Sequence, residues 1–400
     1  IPSGYPGDLM ILKLQLIQSK EPIKKREKAS NTGKEATKKA DKKKSVDDVS
    51  GPRIKTDKDK REKGGESKLS EAKQNENRKK WSTRVHGLNC RDMSKEFNAK
   101  IKRYIPEGVT MDIGHSEANQ LKCRYADVLC IDQTRVPLKG RPKDDDFIHA
   151  NWVGAPGGTK YICTQAPLKE TTEEFWHMCY KEKASLILML CDFKEGSDLE
   201  KCSHYFPEKP KEKKKAGDYT ITMKEKLDEI EIEDTDFSMM EIKYKDSDSV
   251  KVKHCFMRYW VDNCAPVETE PILKLWRWVR KHHADRPVVV HCSAGVGRTS
   301  TFVGIELASH RIAANPDLHL LDVVKELRKM RYQSIQSHVQ FLYLHCLVLD
   351  FFVQEKIAEP YKNSDSKFVE EYRKHTTKRT TRAKKQAAKQ GAPETTGGKG

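Results

Sequence analysis

Four hundred residues with 76 Lys+Arg against 59 Asp+Glu give a net charge of +17, and the excess sits at the two ends. Residues 1–80 hold 23 basic and 13 acidic side chains, residues 361–400 hold 11 and 4, and residues 81–360 hold 42 of each. The balanced middle argues against a globular nucleic-acid-binding domain with a basic face, and no run approaches the ~20 consecutive apolar residues of a membrane helix.

The ends differ in kind from the middle. Residues 19–80 and 362–400 carry few aromatic or branched aliphatic residues, too few to offset the entropy of ordering. A division follows: a basic, disordered extension over 1–80, one domain over 81–361, and a basic, disordered tail over 362–400. Leu9 to Ile17 is apolar but interrupted by Lys13 and Gln15, and lacks the basic start and small-residue cleavage pattern of a signal peptide. Eleven Cys without CxxC pairs point to reduced thiols in a cytoplasmic or nuclear setting, and against a disulfide scaffold or zinc site.

Within the middle, Asp146 to Val153 and Lys160 to Thr164 read as short strands around a Pro156-Gly157-Gly158 turn. Thr171 to Glu174 supplies a cap and an acidic first turn for a helix bearing Phe175, Met178 and Cys179. Leu186 to Cys191 is a continuous apolar run, the pattern of a strand buried on both faces. Residues 207–216 read as a basic loop. Tyr219 to Met223, Met239 to Tyr244 and Val250 to Phe256 then predict an antiparallel meander. A helix over Glu268 to His283 and a buried strand over Pro287 to His291 follow. Three helices complete the domain: Arg298 to Ala313, Leu318 to Arg331, and one starting at a Ser337 cap and running to Glu355. Strands followed by a helical last third predict an α+β fold, a mixed sheet with helices packed on it.

One stretch carries chemistry. In RPVVVHCSAGVGRTS, a β-branched strand ends at His291, Cys292 opens a loop of small residues, and Arg298 starts a helix. Ser293, Ala294, Gly295, Val296 and Gly297 allow successive backbone N–H groups to point inward as an anion nest. The helix N-terminus adds unpaired donors and partial positive charge, and the same field stabilises a thiolate. Arg298 is placed to curl back onto two phosphate oxygens. The chemistry expected is attack of the Cys292 thiolate on phosphorus.

HCSAGVGRTS resembles the signature loop of the Cys-dependent, phosphotyrosine-specific protein tyrosine phosphatases of non-receptor type. The supporting motifs are KCRYADVLCID, DFIHANWV, YICTQAPL, EFWHMC, EKCSHYFP, YWVDNCAP and SIQSHVQF, in the family's order over about residues 90–355. The resemblance implies a highly twisted mixed β-sheet flanked by helices and phosphotyrosine-containing proteins as substrates. No cofactor or metal is called for. It also implies roles. Asp262 matches the general acid that protonates the leaving tyrosine oxygen, and Trp260 the anchor of its loop, counted with the substrate-binding residues. Tyr125 matches the aromatic ring that sets pocket depth, although an interior packing role competes, and Asp127 matches the carboxylate that holds the substrate backbone. Gln336 and Gln340 match the pair that positions the attacking water, on one face at a helix start. Thr299 is expected to donate to the Cys292 sulfur, His291 to help hold the thiolate, and Glu195 to pair with Arg298 although the EGSDLEKC spacing is one residue longer than the pattern.

The chain also departs from the family. Val261 stands where Pro usually precedes the acid, Asn263-Cys264-Ala265 replaces His-Gly-Val, and Cys123 replaces the Asn between Lys and Arg. Losing Pro frees φ and a backbone N–H and so bears on the loop's open–closed balance, but the acid itself remains: an active enzyme is expected, with a phosphotyrosine-binding module of little turnover as the alternative. A phosphatase for phosphoinositides or RNA ends is a second rival, disfavoured by the absence of Lys in the signature loop and by Tyr125. KKADKKKS (38–45) and KRTTRAKK (378–385) are either solvated tails or signals and docking sites for anionic partners.

Overall fold

The computed structural model describes residues 69–195, 199–261 and 264–377. Eight strands form one mixed sheet: β1 (Ala150–Val153), β2 (Tyr161–Thr164), β3 (Leu186–Met189), β6 (Lys213–Ala216), β7 (Tyr219–Lys226), β8 (Thr235–Tyr244), β9 (Ser249–Met257) and β10 (Val288–His291). Their spatial order is β1-β2-β10-β3-β9-β8-β7-β6, and β4 (Lys194–Glu195) with β5 (Leu199–Glu200) makes a separate two-stranded antiparallel sheet. The inner strands β2, β10, β3 and β9 run parallel, with Val290 opposite Cys163 and Leu188. The outer strands β9, β8, β7 and β6 run antiparallel. Every residue of β2, β3 and β10 is buried, as expected of parallel strands covered on both faces. The outer strands alternate, for which one buried face suffices.

Helices α1 (Glu71–His86) and α2 (Cys90–Lys100) precede the sheet, and two single-turn helices, α3 (Asp112–His115) and α4 (Glu117–Gln120), follow them. Next come α5 (Thr172–Lys181), α6 (Glu270–His282), α7 (Arg298–Ala314), α8 (Leu320–Met330) and α9 (His338–Gln354). Helix α7 is buried on nearly all sides, the behaviour of a helix with no polar stripe. It lies against β2 and β10 on one side and α1, α8 and α9 on the other. Ser337 caps α9, its hydroxyl receiving Gln340 N while the Gln340 carboxamide receives Ser337 N, a reciprocal capping box.

Three boundaries differ from the sequence reading. Order begins before residue 81, because α1 starts at Glu71. Only Trp81 and Val85 are its buried apolar residues, so its composition looks unfoldable. Polar contacts hold it instead: Asn77 Nδ2 donates to Ala313 O at 2.8 Å, and Trp81 Nε1 and Arg84 Nη2 donate to Leu318 O at 3.2 and 2.8 Å. Ala313 O lies in the last turn of α7, where carbonyls lack helical partners, and Leu318 O lies in the segment between α7 and α8.

At the other end the domain continues past 361. Residues 367–377 are helical, with Phe368, Val369 and Tyr372 in the core. Glu371 from this helix accepts from Cys90 N at 2.8 Å and Asn89 Nδ2 at 3.2 Å, placing a carboxylate at the positive end of α2. The third difference is β6, in the stretch read as a loop. Its lysines alternate exposed and half-buried, so a charged sequence supplies an edge strand. Residues 1–68 and 378–400, including both basic motifs, lie outside the described residues.

Candidate active site

Strand β10 ends at His291, and the chain turns through Cys292 to Gly297 before α7 begins at Arg298. What shapes this turn is where its carbonyls go. His291 O accepts from Leu190 N at 2.8 Å, Ser293 O from Ala166 N at 2.9 Å and Val296 O from Ile335 N at 2.9 Å. Ala294 O and Gly295 O both accept from Arg331, at 3.0 Å each. Gly297 O enters the helix ladder through Thr301 N at 3.0 Å. With the carbonyls bound outward on four different segments, successive N–H groups face the concave side. A nest of this kind attracts anions. Gly295 sits at φ +69°, and a Cβ there would collide with the Thr164 carbonyl. Only glycine meets both conditions.

Cys292 lies at the floor, 3% exposed, and its Sγ accepts from Gly295 N at 3.3 Å. His291 does not reach the sulfur. Its Nδ1 lies 3.2 Å from Cys292 O and its Nε2 2.8 Å from Tyr205 OH, which is also 2.7 Å from His254 Nε2. A carbonyl only accepts, so Nδ1 donates and Nε2 accepts the Tyr205 proton, leaving His254 to donate to Tyr205. Burial pushes the pKa of His291 and of His254 down to about 3. Both are therefore neutral near pH 7: His291 holds the backbone of the nucleophile through Cys292 O, and His254 holds Tyr205. Thr299 differs from expectation in a similar way: its Oγ1 is buried and makes no hydrogen bond, so the donor to sulfur is a backbone amide.

Arg298 points back across the loop from the first turn of α7. Nη1 donates to Glu195 Oε1 at 2.6 Å and to Trp260 O at 2.8 Å, and Nη2 to Glu195 Oε2 at 3.2 Å. Burial opposes its charge, yet Cys292, Cys191 and Glu195 outweigh that and raise its pKa. The expected Glu195 partner is thus in place, at the end of β4 and braced by Asp192 N at 3.0 Å. Trp260 is fully buried, donates Nε1 to Cys264 O at 3.1 Å and packs edge-on against Tyr343. Its ring is held in the core at the start of the loop. Val261 beside it is exposed, and Asp262 lies outside the described residues.

The rim comes from the segment around Tyr125. Ser293 Oγ donates to Lys201 O at 2.9 Å, so the 2.8 Å contact between Tyr125 OH and Ser293 Oγ is donated by the tyrosine. The Tyr125 ring thereby stands as one wall of the cleft. Its loop is held by Gln165, which donates Nε2 to Lys122 O at 2.8 Å and accepts from Arg124 N at 2.9 Å. Cys123 Sγ makes only long sulfur contacts, to Asn119 O at 3.4 Å and Gly114 O at 3.9 Å, so the shorter Gln165 bonds are the loop's anchor. Asp127 is exposed on the same rim, its carbonyl receiving Gln333 Nε2 at 2.8 Å.

Gln336 and Gln340 are adjacent, but not on one helical face. Gln336 precedes the Ser337 cap and is exposed, whereas Gln340 is the third helical residue and buried. Gln340 Oε1 accepts from Gln336 N at 3.0 Å, and its carboxamide lies so close to Gly297 that a Cβ there would meet Nε2 at 2.7 Å. The positioning residues missed from sequence are Arg331, Gln165 and Tyr205. Arg331 also reaches Asn151 Oδ1 at 2.8 Å and His149 Nδ1 at 3.1 Å. A basic residue at a helix end reads from sequence as complementing the helix dipole, and nothing local distinguishes this one.

Comparisons with known proteins agree with this geometry. Residues 119–350 match the protein-tyrosine phosphatase family. Tyrosine-protein phosphatase non-receptor type 20 of Rattus norvegicus is 32% identical over 266 residues, covering 65% of this chain and 60% of the relative. The human non-receptor type 7 enzyme is 33% identical over 276 residues, covering 66% of this chain and 72% of the relative. Among solved structures, the catalytic domain of human protein tyrosine phosphatase non-receptor type 18 superposes with a TM-score of 0.55 at 27% identity, over 66% of this chain and 93% of that one. The chain thus spans about 60% of the length of its type 20 relative. With a thiol at the floor of an amide nest, an arginine locked above it, and a matching stretch exceeding half its length, the chain belongs to the protein-tyrosine phosphatase family.

Proposed function

We propose that the protein hydrolyses phosphotyrosine in protein substrates in two steps. In the first, the Cys292 thiolate forms a bond to phosphorus as the P–O bond to the tyrosine breaks, and Asp262 gives its proton to the departing phenolic oxygen. In the second, water held by Gln336 and Gln340 attacks phosphorus, the S–P bond breaks to regenerate the thiolate, and Asp262 takes the proton of the water. The inward amides of residues 293–297 and Arg298 stabilise the charge on the equatorial oxygens throughout, in a site that needs no reorganisation.

One observation carries this reading: the loop carbonyls are bound to other segments, while Gly295 N points inward onto Cys292 Sγ. The wall formed by Tyr125, tied to Ser293, supports tyrosine over serine, because a shorter phosphorylated side chain would not reach the floor. Among the described residues no helix is long and apolar enough to cross a membrane.

Phosphate release from a phosphotyrosine peptide, compared with a phosphoserine peptide of the same sequence, tests the proposal, with Cys292→Ser as control. Release from the first alone, abolished by the substitution, is the expected result. Phosphopeptide binding by both proteins with turnover by neither would assign a binding module instead, a reading that Val261 in the acid loop makes worth testing.

A further inference from the structure

The antiparallel half of the sheet has a solvent face whose composition is not that of an ordinary wet surface. The strand registers place Lys215, Thr220, Lys243 and Ser249 side by side in one row across β6, β7, β8 and β9. They place Lys213, Thr222, Glu241 and Lys251 in the next. Neighbouring residues on these strands, Ile221, Ile242 and Tyr219, point the other way and are buried. Lys213, Lys215, Lys243 and Lys251 are exposed and make no ion pair among the described residues. Glu241 is the acidic member of the two rows, and it is occupied: Lys224 Nζ lies 3.3 Å from it and Ser249 Oγ 3.4 Å.

This face ends at an edge. β6 is the last strand in the sheet order, so backbone groups on its far side have no strand partner among the described residues. Lysines on an edge repel a second copy of the same strand, which is how such edges avoid self-association. They do not repel an acidic strand, since opposite charges directly across a strand pair are favourable. The chain's own ends do not complement it, because residues 1–80 and 361–400 both carry net positive charge.

We propose that the β6 edge docks an acidic, extended segment of a partner protein. The segment would add as a strand beside β6, its backbone pairing with the free edge and its alternate Asp or Glu side chains facing Lys213 and Lys215. Main-chain pairing supplies affinity in this mode, and alternate side chains supply specificity. The site is separate from the Cys292 loop, so binding and turnover are independent measurements.

A fluorescent ten-residue peptide alternating glutamate with threonine, titrated against the full chain, tests the proposal. Saturable binding is expected, weakened at least about tenfold by the paired substitution Lys213→Glu and Lys215→Glu and also by raising the salt from about 0.05 to 0.5 M. A peptide with proline in place of threonine lacks the needed N–H groups and is expected not to bind. An unchanged melting temperature in the double variant shows that folding is intact, and Lys213→Gln alone gives a milder second readout. Equal binding by the proline peptide, equal binding by the double variant, or binding only to phosphatidylserine vesicles would each overturn the proposal.

Discussion

The two halves of the sheet are built from similar strands and do opposite work. In the parallel half, β2, β10 and β3 are buried on both faces, and the loop leaving β10 has its carbonyls claimed by four separate segments. In the antiparallel half, one face is core and the rows on the other carry lysine, threonine, serine and Glu241, exposed or half-buried. Backbone geometry is over-determined where chemistry requires a fixed nest. Where the chain only meets solvent, side chains carry charge and the backbone is held by its ladder alone. The same positive charge therefore has two meanings: a buried guanidinium positions atoms, whereas an exposed ammonium recognises partners.

Arg331 offers the sharpest way to break this contrast. Arg331→Met keeps the aliphatic stem but removes donors to Ala294 O, Gly295 O, Asn151 and His149. Stripping donors from several buried acceptors is expected to cost about 3 kcal/mol or more. Release of the two carbonyls lets the amides rotate out of the nest, for which a fall in kcat/KM of about 10²-fold is expected. Arg331→Lys should recover only part of this, because a single ammonium does not span the four acceptors. Steady-state kinetics with urea unfolding measures both effects. A Met variant with unaltered kcat/KM would mean that the loop shapes itself.

A second test of the buried half is acid. His149, His254, His291 and His345 all have pKa values pushed down to about 3, with burial as the leading cause. Unfolded, each returns to about 6.5, so between these values the unfolded chain binds protons that the folded chain refuses. Stability is therefore expected to fall as pH drops below about 6.5, by up to about 1.4 kcal/mol per pH unit per histidine, with no such contribution above it. Among the described residues His345 bonds the Phe341 carbonyl of its own helix, at 2.9 Å, and no residue of the nest. Urea unfolding of His345→Leu at pH 7.5, 6 and 5 should show a shallower slope than the parent protein. Parallel slopes would mean that this ring takes up its proton in the folded state as well.

Most of the sheet was legible in the sequence, for a physical reason. The apolar runs at Leu186 to Met189 and Val288 to Val290 have no other use than doubly covered strands, and small residues between Cys292 and Arg298 have few uses other than a nest. Resemblance supplied Glu195 and Tyr125, whose partners the structure then places at hydrogen-bond distance. What escaped lies in long-range contacts. Asn77, Trp81 and Arg84 make sense only against the end of α7 and the segment that follows it, and Phe368, Val369 and Tyr372 were diluted by the basic residues around them. Tyr205, Gln165 and Arg331 bind backbone atoms distant in sequence, so no local pattern marks them. For Asp262 the reading rests on motif order alone.

The smallest expected effect lies on the wet face and completes the comparison. Lys224 Nζ lies 3.3 Å from Glu241 Oε2 across β7 and β8, a contact no longer than several in the active site. Both partners reach solvent, however, and Glu241 keeps its contact with Ser249 when the lysine is removed. Water replaces what Lys224→Ala takes away, so the loss of stability is expected to stay below about 1 kcal/mol and to shrink further in high salt. Thermal unfolding at low and high salt measures it. A loss of several kcal/mol, comparable to that expected for Arg331→Met, would show that the outer rows support the fold and are not simply displayed on it. The distinction between a charge that holds backbone and a charge that faces a partner would then have to be withdrawn.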